Sequence, residues 1–165
     1  MSICPIVEYP HPSLRASCEP ISAMDSTSMK VITDLKETMA SYPGCVGLAA
    51  NQIDIKLSIA VVDVSSKIPN SELKVLINPR IVGSRDNKVI REGCLSVQQL
   101  TANVVRANEV DVEWLDLNGQ IVTYTAKGFE AICIQHEIDH LNGRLFLDHV
   151  LSAKTDIFRR KRYLH

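Results

Sequence analysis

The residues with the most legible chemistry lie in Gln135-His136-Glu137-Ile138-Asp139-His140-Leu141, a His-Glu-x-x-His pattern. On a helix, residues four apart share a face, so His136 and His140 can bring both imidazoles to one metal ion. Glu137 stands beside that metal, where a carboxylate can handle the proton of a water. Two histidines do not complete a site. A catalytic metal of this kind keeps three protein ligands and one position for water. His11, His149 and His165 fall in loops or at the end of the chain. Cys94 follows Gly93 between two strand-like segments, at a turn or bulge that can aim its sulfur. The residues alone leave Cys94 open as a thiolate ligand or as a small buried hydrophobe.

The element that must carry the histidines is a helix over residues 128–141. Phe129, Ile132, Cys133, His136 and His140 follow the helical spacing of one buried stripe. A buried imidazole without a partner costs about 1–3 kcal/mol, and one ion satisfies two of them. Asn142-Gly143 stops this helix. A first helix is expected over residues 25–41, with Ile32, Leu35, Met39 and Tyr42 in phase and Asp25, Ser26 and Ser28 as candidate caps. Residues 1–24 read as irregular around Tyr9-Pro10-His11-Pro12. Residues 44–52 are small and glycine-rich. They form either a packed loop or a backbone that a substrate can approach closely.

The remainder reads as strands. Residues 58–64 form a buried apolar run. Residues 74–78 form another strand, ended by Pro79. Residues 81–84 and 88–91 suit a hairpin around Arg85-Asp86-Asn87. Two further strands follow over residues 103–107 and 109–115. In the second, Val110, Val112 and Trp114 alternate with charges, the mark of a half-buried strand. Asn118-Gly119 is a tight-turn signal that returns residues 120–125 as its partner. A third helix is expected after Ser152, ending in the basic run Arg159-Arg160-Lys161-Arg162.

The totals exclude several classes. The chain has 165 residues, enough for one core and one domain. It carries 18 basic and 19 acidic residues, a balance unlike that of a protein that coats nucleic acid. No apolar run approaches the ~20 residues that span a bilayer. No basic segment followed by an apolar core stands near the N-terminus, so no secretory signal is read there. The five cysteines are odd in number and scattered, which fits a reducing compartment better than a disulfide framework.

The motifs taken together resemble those of the peptide deformylase family. Three occur in the family's order: Gly47-Leu48-Ala49-Ala50-Asn51-Gln52, Glu92-Gly93-Cys94-Leu95-Ser96, and Gln135-His136-Glu137-Ile138-Asp139-His140. The likeness extends to Tyr9-Pro10-His11-Pro12-Ser13-Leu14-Arg15 and to Leu145-Phe146-Leu147-Asp148, so it covers nearly the whole chain. It implies an α+β fold, with small, mostly antiparallel sheets packed around a central metal-binding helix, an N-terminal helix and a C-terminal helix. It implies one catalytic domain over residues 1–165 that removes the formyl group from the N-terminal formyl-methionine of new polypeptides. The metal ligands it implies are Cys94, His136 and His140, holding Fe2+ in the cell, with Ni2+ or Zn2+ also accommodated. Glu137 would move the proton, and the Gln52 amide and the Leu95 N–H would meet the oxyanion. Gly47 and Leu95 would line the substrate backbone, with Ile132 and Cys133 beside the methionine. Glu92 and Arg106 are candidates for orienting the ligand histidines.

The expected partners are N-formylmethionyl nascent chains, with transient ribosome contact through the basic C-terminal helix. The expected protein is a monomer of the bacterial cytosol, without a membrane. The chain departs from the family pattern in two places. Cys45 and Val46 separate Gly44 from Gly47, which alters the entry loop. Gln98 and Thr101 stand where many members have proline and a basic residue, so weaker dependence on peptide residues beyond the methionine is expected. The rival readings are a small His-Glu-x-x-His peptidase, which leaves Gln52 without a role, and a non-catalytic binder of the same fold.

Overall fold

The structure, a computed structural model, describes residues 3–161. The first helix, α1 (Ser26–Ser41), starts where expected, because the Asp25 side chain accepts the Ser28 N–H at 2.7 Å. Its inner face, Val31, Ile32, Leu35 and Met39, packs on the apolar side chains of two short strands. These are β1 (Gly47–Ala49) and β2 (Ile59–Val62), separated by the single turn Ala50–Ile53. The glycine-rich segment is thus an edge strand followed by a 3-10 turn.

Beyond them, β3 (Lys74–Cys94) and β4 (Val97–Leu115) form one long antiparallel hairpin, and β5 (Ile121–Lys127) returns along β4. The sheet order is β1-β2-β3-β4-β5, with every pair antiparallel. Two expectations fail here. Pro79 does not end a strand. Asn78 adopts φ +49 and the register shifts between Ile77 and Arg80, so β3 absorbs the proline in a bulge. Arg85-Asp86-Asn87 is not a turn either. Arg85 lies opposite Glu109 and pairs with both Glu109 and Asp111, so cross-strand charge carries the strand through a local kink at Asp86, where φ is +59. The turn falls at Leu95-Ser96 instead, between paired Cys94 and Val97.

The second helix, α2 (Gly128–Leu141), is central. Ala131, Ile134, Ile138 and Leu141 enter the core with Val62, Val110 and Val112. The stripe expected to be buried runs beside this face. Cys133 and His140 are buried as expected, whereas Phe129 is 41% exposed and Ile132 and His136 are half-buried, because their side of α2 looks into a cavity rather than into the core.

The expected C-terminal helix is absent among the described residues. A short turn at Phe146–His149 and a bend lead into β6 (Ile157–Arg159), which pairs with Leu100–Ala102 of β4. The exposed edge of β4 supplies the hydrogen-bonding partner, and Ile157 packs beside the cluster of Leu14, Val97 and Val104. Arg162 and His165 lie outside the described residues.

Candidate metal centre

Two elements bring three ligand types to one point. Helix α2 presents His136 and His140 one turn apart, with ring centroids 4.9 Å from each other. The end of β3 presents Cys94, whose Sγ lies 3.2 Å from His140 Nε2. Donor atoms of Cys94, His136 and His140 all lie within 4.8 Å of one another. The bulge between Gly93 and Cys94 turns the sulfur inward at the head of the hairpin. Long-range strand pairing, rather than local sequence, therefore makes Cys94 the third member. The other histidines among the described residues are occupied elsewhere. His11 accepts the Ser13 N–H through Nδ1 at 3.2 Å, and His149 Nε2 meets Asp139 at 2.8 Å.

The surroundings orient each group. His136 Nδ1 donates to Glu92 Oε2 at 2.8 Å, which leaves Nε2 toward the cluster. Arg106 Nε donates to Glu92 Oε1 at 2.6 Å, and its Nη1 reaches Asp139. Both residues are buried, so each charge depends on the other. Burial works to raise the Glu92 carboxyl, but hydrogen bonds from His136 and Arg106 outweigh it and pull the group down to about 2. Burial likewise opposes ionisation of Cys94. The imidazoles of His140 and His136 overcome it and hold the thiol well below its ordinary range, in the thiolate form a metal requires.

Glu137 sits on α2 between the two histidines. It is 4% exposed, and its Oε2 is buried without a hydrogen-bond partner. Burial, only partly offset by the histidines, pushes its carboxyl up to about 7. A carboxylate with that affinity can both accept and return a proton near neutrality. Gly47 explains its placement. A Cβ there would lie 2.5 Å from Glu137 Oε1, so only glycine leaves room for the carboxylate.

Gln52 is held at both ends. Its Oε1 accepts the Ala49 N–H at 3.0 Å, while its Nε2 donates to Ser96 Oγ at 3.1 Å and points to Cys94 Sγ at 3.5 Å. Leu95 forms the first corner of the turn beside it and lines the same cavity. Ser96 and Asn51 are the residues that sequence reasoning missed. Asn51 Nδ2 donates to the His140 carbonyl at 2.5 Å and ties α2 to the Ala50–Ile53 turn. Both stand inside the quoted motifs, so their motif membership was the available signal. The cavity, of about 530 Å3, is lined by the metal-ligand candidates and by Cys45, Leu95, Phe129, Ile132 and Cys133. Its apolar wall suits an unbranched apolar side chain.

Comparison with known proteins agrees with this geometry. The family model described as polypeptide deformylase matches residues 3–156. The peptide deformylase of Xylella fastidiosa (strain M12) is 42% identical over 164 residues, covering 98% of this chain and 95% of that protein. Peptide deformylase 2 of Xanthomonas axonopodis pv. citri (strain 306) is 39% identical over 164 residues, with the same coverage of 98% and 95%. The crystal structure of a peptide deformylase from Legionella pneumophila superposes with a TM-score of 0.85 at 40% identity, covering 93% of this chain and 88% of that one.

Proposed function

This chain belongs to the polypeptide deformylase family, metal-dependent hydrolases that remove the N-formyl group from nascent polypeptides, and from that premise we propose how its own residues share the work. The supporting observation is the convergence of Cys94, His136 and His140 within 4.8 Å, beside a buried carboxylate that has an unpartnered oxygen. A sulfur and two imidazoles suit a divalent transition metal with one position left open, which we read as Fe2+ in the cell, with Ni2+ or Zn2+ as substitutes. Lewis acidity toward the formyl carbonyl and toward water is what that metal supplies when bound.

The remaining steps belong to the protein. Glu137 takes the proton of the attacking water and delivers a proton to the nitrogen of the leaving amine, which could not depart as an anion. The oxyanion is met by the Gln52 amide and the Leu95 N–H. Gln52 is aligned for this because Ala49 holds its other end. Removing one such donor typically costs about 100–1000-fold in rate. The cavity wall of Leu95, Ile132 and Cys133 receives the methionine side chain. Hydrogen is the only substituent a formyl carbon carries beyond its carbonyl, so a site closed around that position admits formyl and excludes acetyl. We read residues 1–165 as a single catalytic domain, monomeric and cytoplasmic, that acts on N-formylmethionyl chains near the ribosome.

The decisive assay is deformylation of formyl-Met-Ala under anaerobic conditions with defined metal content. Activity that is highest with Fe2+ and decays in air supports the reading, and cleavage of internal peptide bonds instead would overturn it. Glu137→Ala should abolish turnover while one metal per chain stays bound. Full turnover in that variant rejects the proton role.

A further inference from the structure

Arg160 lies in the catalytic cavity, yet nothing in the chemistry above uses it. The chain around it is tied down. Its N–H donates to the Gln99 carbonyl at 2.9 Å, and Arg159 and Phe158 pair with Leu100 and Thr101. Phe158 lies beneath the Arg91 guanidinium, 3.6 Å from ring centroid to Cζ. The β6 segment therefore acts as a strap that carries Arg160 back over the head of the β3–β4 hairpin.

Three observations concern the guanidinium itself. It lies across Gly93, where a Cβ would overlap Arg160 Nη2. The residue that carries it lines two hollows at once: the cavity with Cys94 and Glu137, and a polar hollow lined also by Glu8, Tyr9, Ser96, Gln98 and Gln99. Its Nη1 is buried and has no hydrogen-bond partner among the described residues. An unmade bond to a buried charged donor is costly, and a guanidinium can be satisfied only by acceptors. A ligand that passes from one hollow into the other is placed to bring such an acceptor to this border.

We infer that Arg160 is a specificity-determining residue, which donates to main-chain carbonyl oxygens of the peptide residues that follow the formylated methionine. The inference rests on the reading of the cavity as a formyl-peptide groove. It also reverses an expectation. Gln98 and Thr101 alone suggested weak dependence on residues beyond the methionine, whereas Arg160 brings a cation to that rim from another element.

The test compares wild type, R160M and R160K on formyl-Met amide, formyl-Met-Ala amide and formyl-Met-Ala-Ser amide. The amides remove any terminal carboxylate. In R160M the loss in kcat/KM grows with peptide length, reaches about tenfold on the longest, and falls on KM rather than kcat. R160K, which keeps the charge and loses the fork, recovers part of it. An equal loss at every length, a loss confined to kcat, or no loss would overturn the inference and leave Arg160 as a strut. If R160M does not fold, R160K alone decides by the same length criterion. A wild type that deformylates none of the three amides rejects the functional reading itself. A wild type active on all three, with a length-independent variant, rejects only the role of Arg160.

Discussion

At the scale of single residues, the site works by steric and electrostatic constraint. Gly47 matters for the side chain it lacks, since a methyl group there collides with the Glu137 carboxylate. Gly47→Ala should keep the fold and lower kcat by about 100-fold if Glu137 carries the proton as proposed, because displacement of a reacting group by about 1 Å costs that much. Steady-state kinetics beside a thermal melt would check it, and unchanged kcat would show that Glu137 has room to move. Glu92 is held at about 2 by His136 and Arg106 against the opposing effect of burial. An unfolded glutamate titrates near 4.3. The folded value is the lower one, so the bond adds stability above about pH 4.3 that is lost as pH falls toward 2. Acid unfolding of wild type should therefore steepen across that window, and Glu92→Gln should flatten it. Parallel curves for the two proteins would contradict the linkage.

Elements meet at the ends of α2. Gly143 closes the helix with φ +69, and a Cβ there would sit 2.5 Å from the Arg15 carbonyl oxygen. That contact seats α2 against the turn Pro12–Arg15, whose Ser13 hydroxyl donates to the Asn51 carbonyl, while Asn51 binds the His140 carbonyl. Gly143→Ala combines a disfavoured dihedral with a backbone clash and should cost roughly 1–3 kcal/mol in urea unfolding. A change under about 0.5 kcal/mol would mean the Arg15 loop yields freely. The same logic explains α2's two faces. Its core face needs apolar contact, and its groove face needs to remain reachable by substrate.

For the molecule as a whole, charge is nearly balanced at −1, so any attraction to RNA has to be local. The basic C-terminal run divides in the structure. Arg159 is exposed, while Arg160 turns into the cavity rim. If the exposed cations guide the enzyme to ribosomes, co-sedimentation should weaken with salt, and R159A/K161A should reduce it. Co-sedimentation identical for both proteins across a salt series would remove the idea. No helix among the described residues is long and apolar enough to cross a membrane.

The linear order of residues was sufficient for α1, α2, β2, β5 and the His-Glu-x-x-His pair, because helical periodicity, caps and tight turns act within about ten residues. The resemblance of three motifs then pointed to the family and to Cys94, His136 and His140, which the structure gathers in one group. Other features depended on contacts distant in sequence. β3 runs through Pro79 and Asp86 because β4 lies alongside it with matching charges, and local turn propensity cannot weigh that partner. The C-terminal segment is a strand because β4 offers it an open edge. The stripe on α2 faces a cavity because neighbouring elements leave a gap there. Cys94 meets His140 through the hairpin's length and its terminal bulge, and Arg160 reaches the rim through β6. Chemistry that resides in residue types was readable from the chain. The positions of Cys94 and Arg160 around the groove were decided by tertiary structure, because strand pairing and packing depend on groups that only folding brings together.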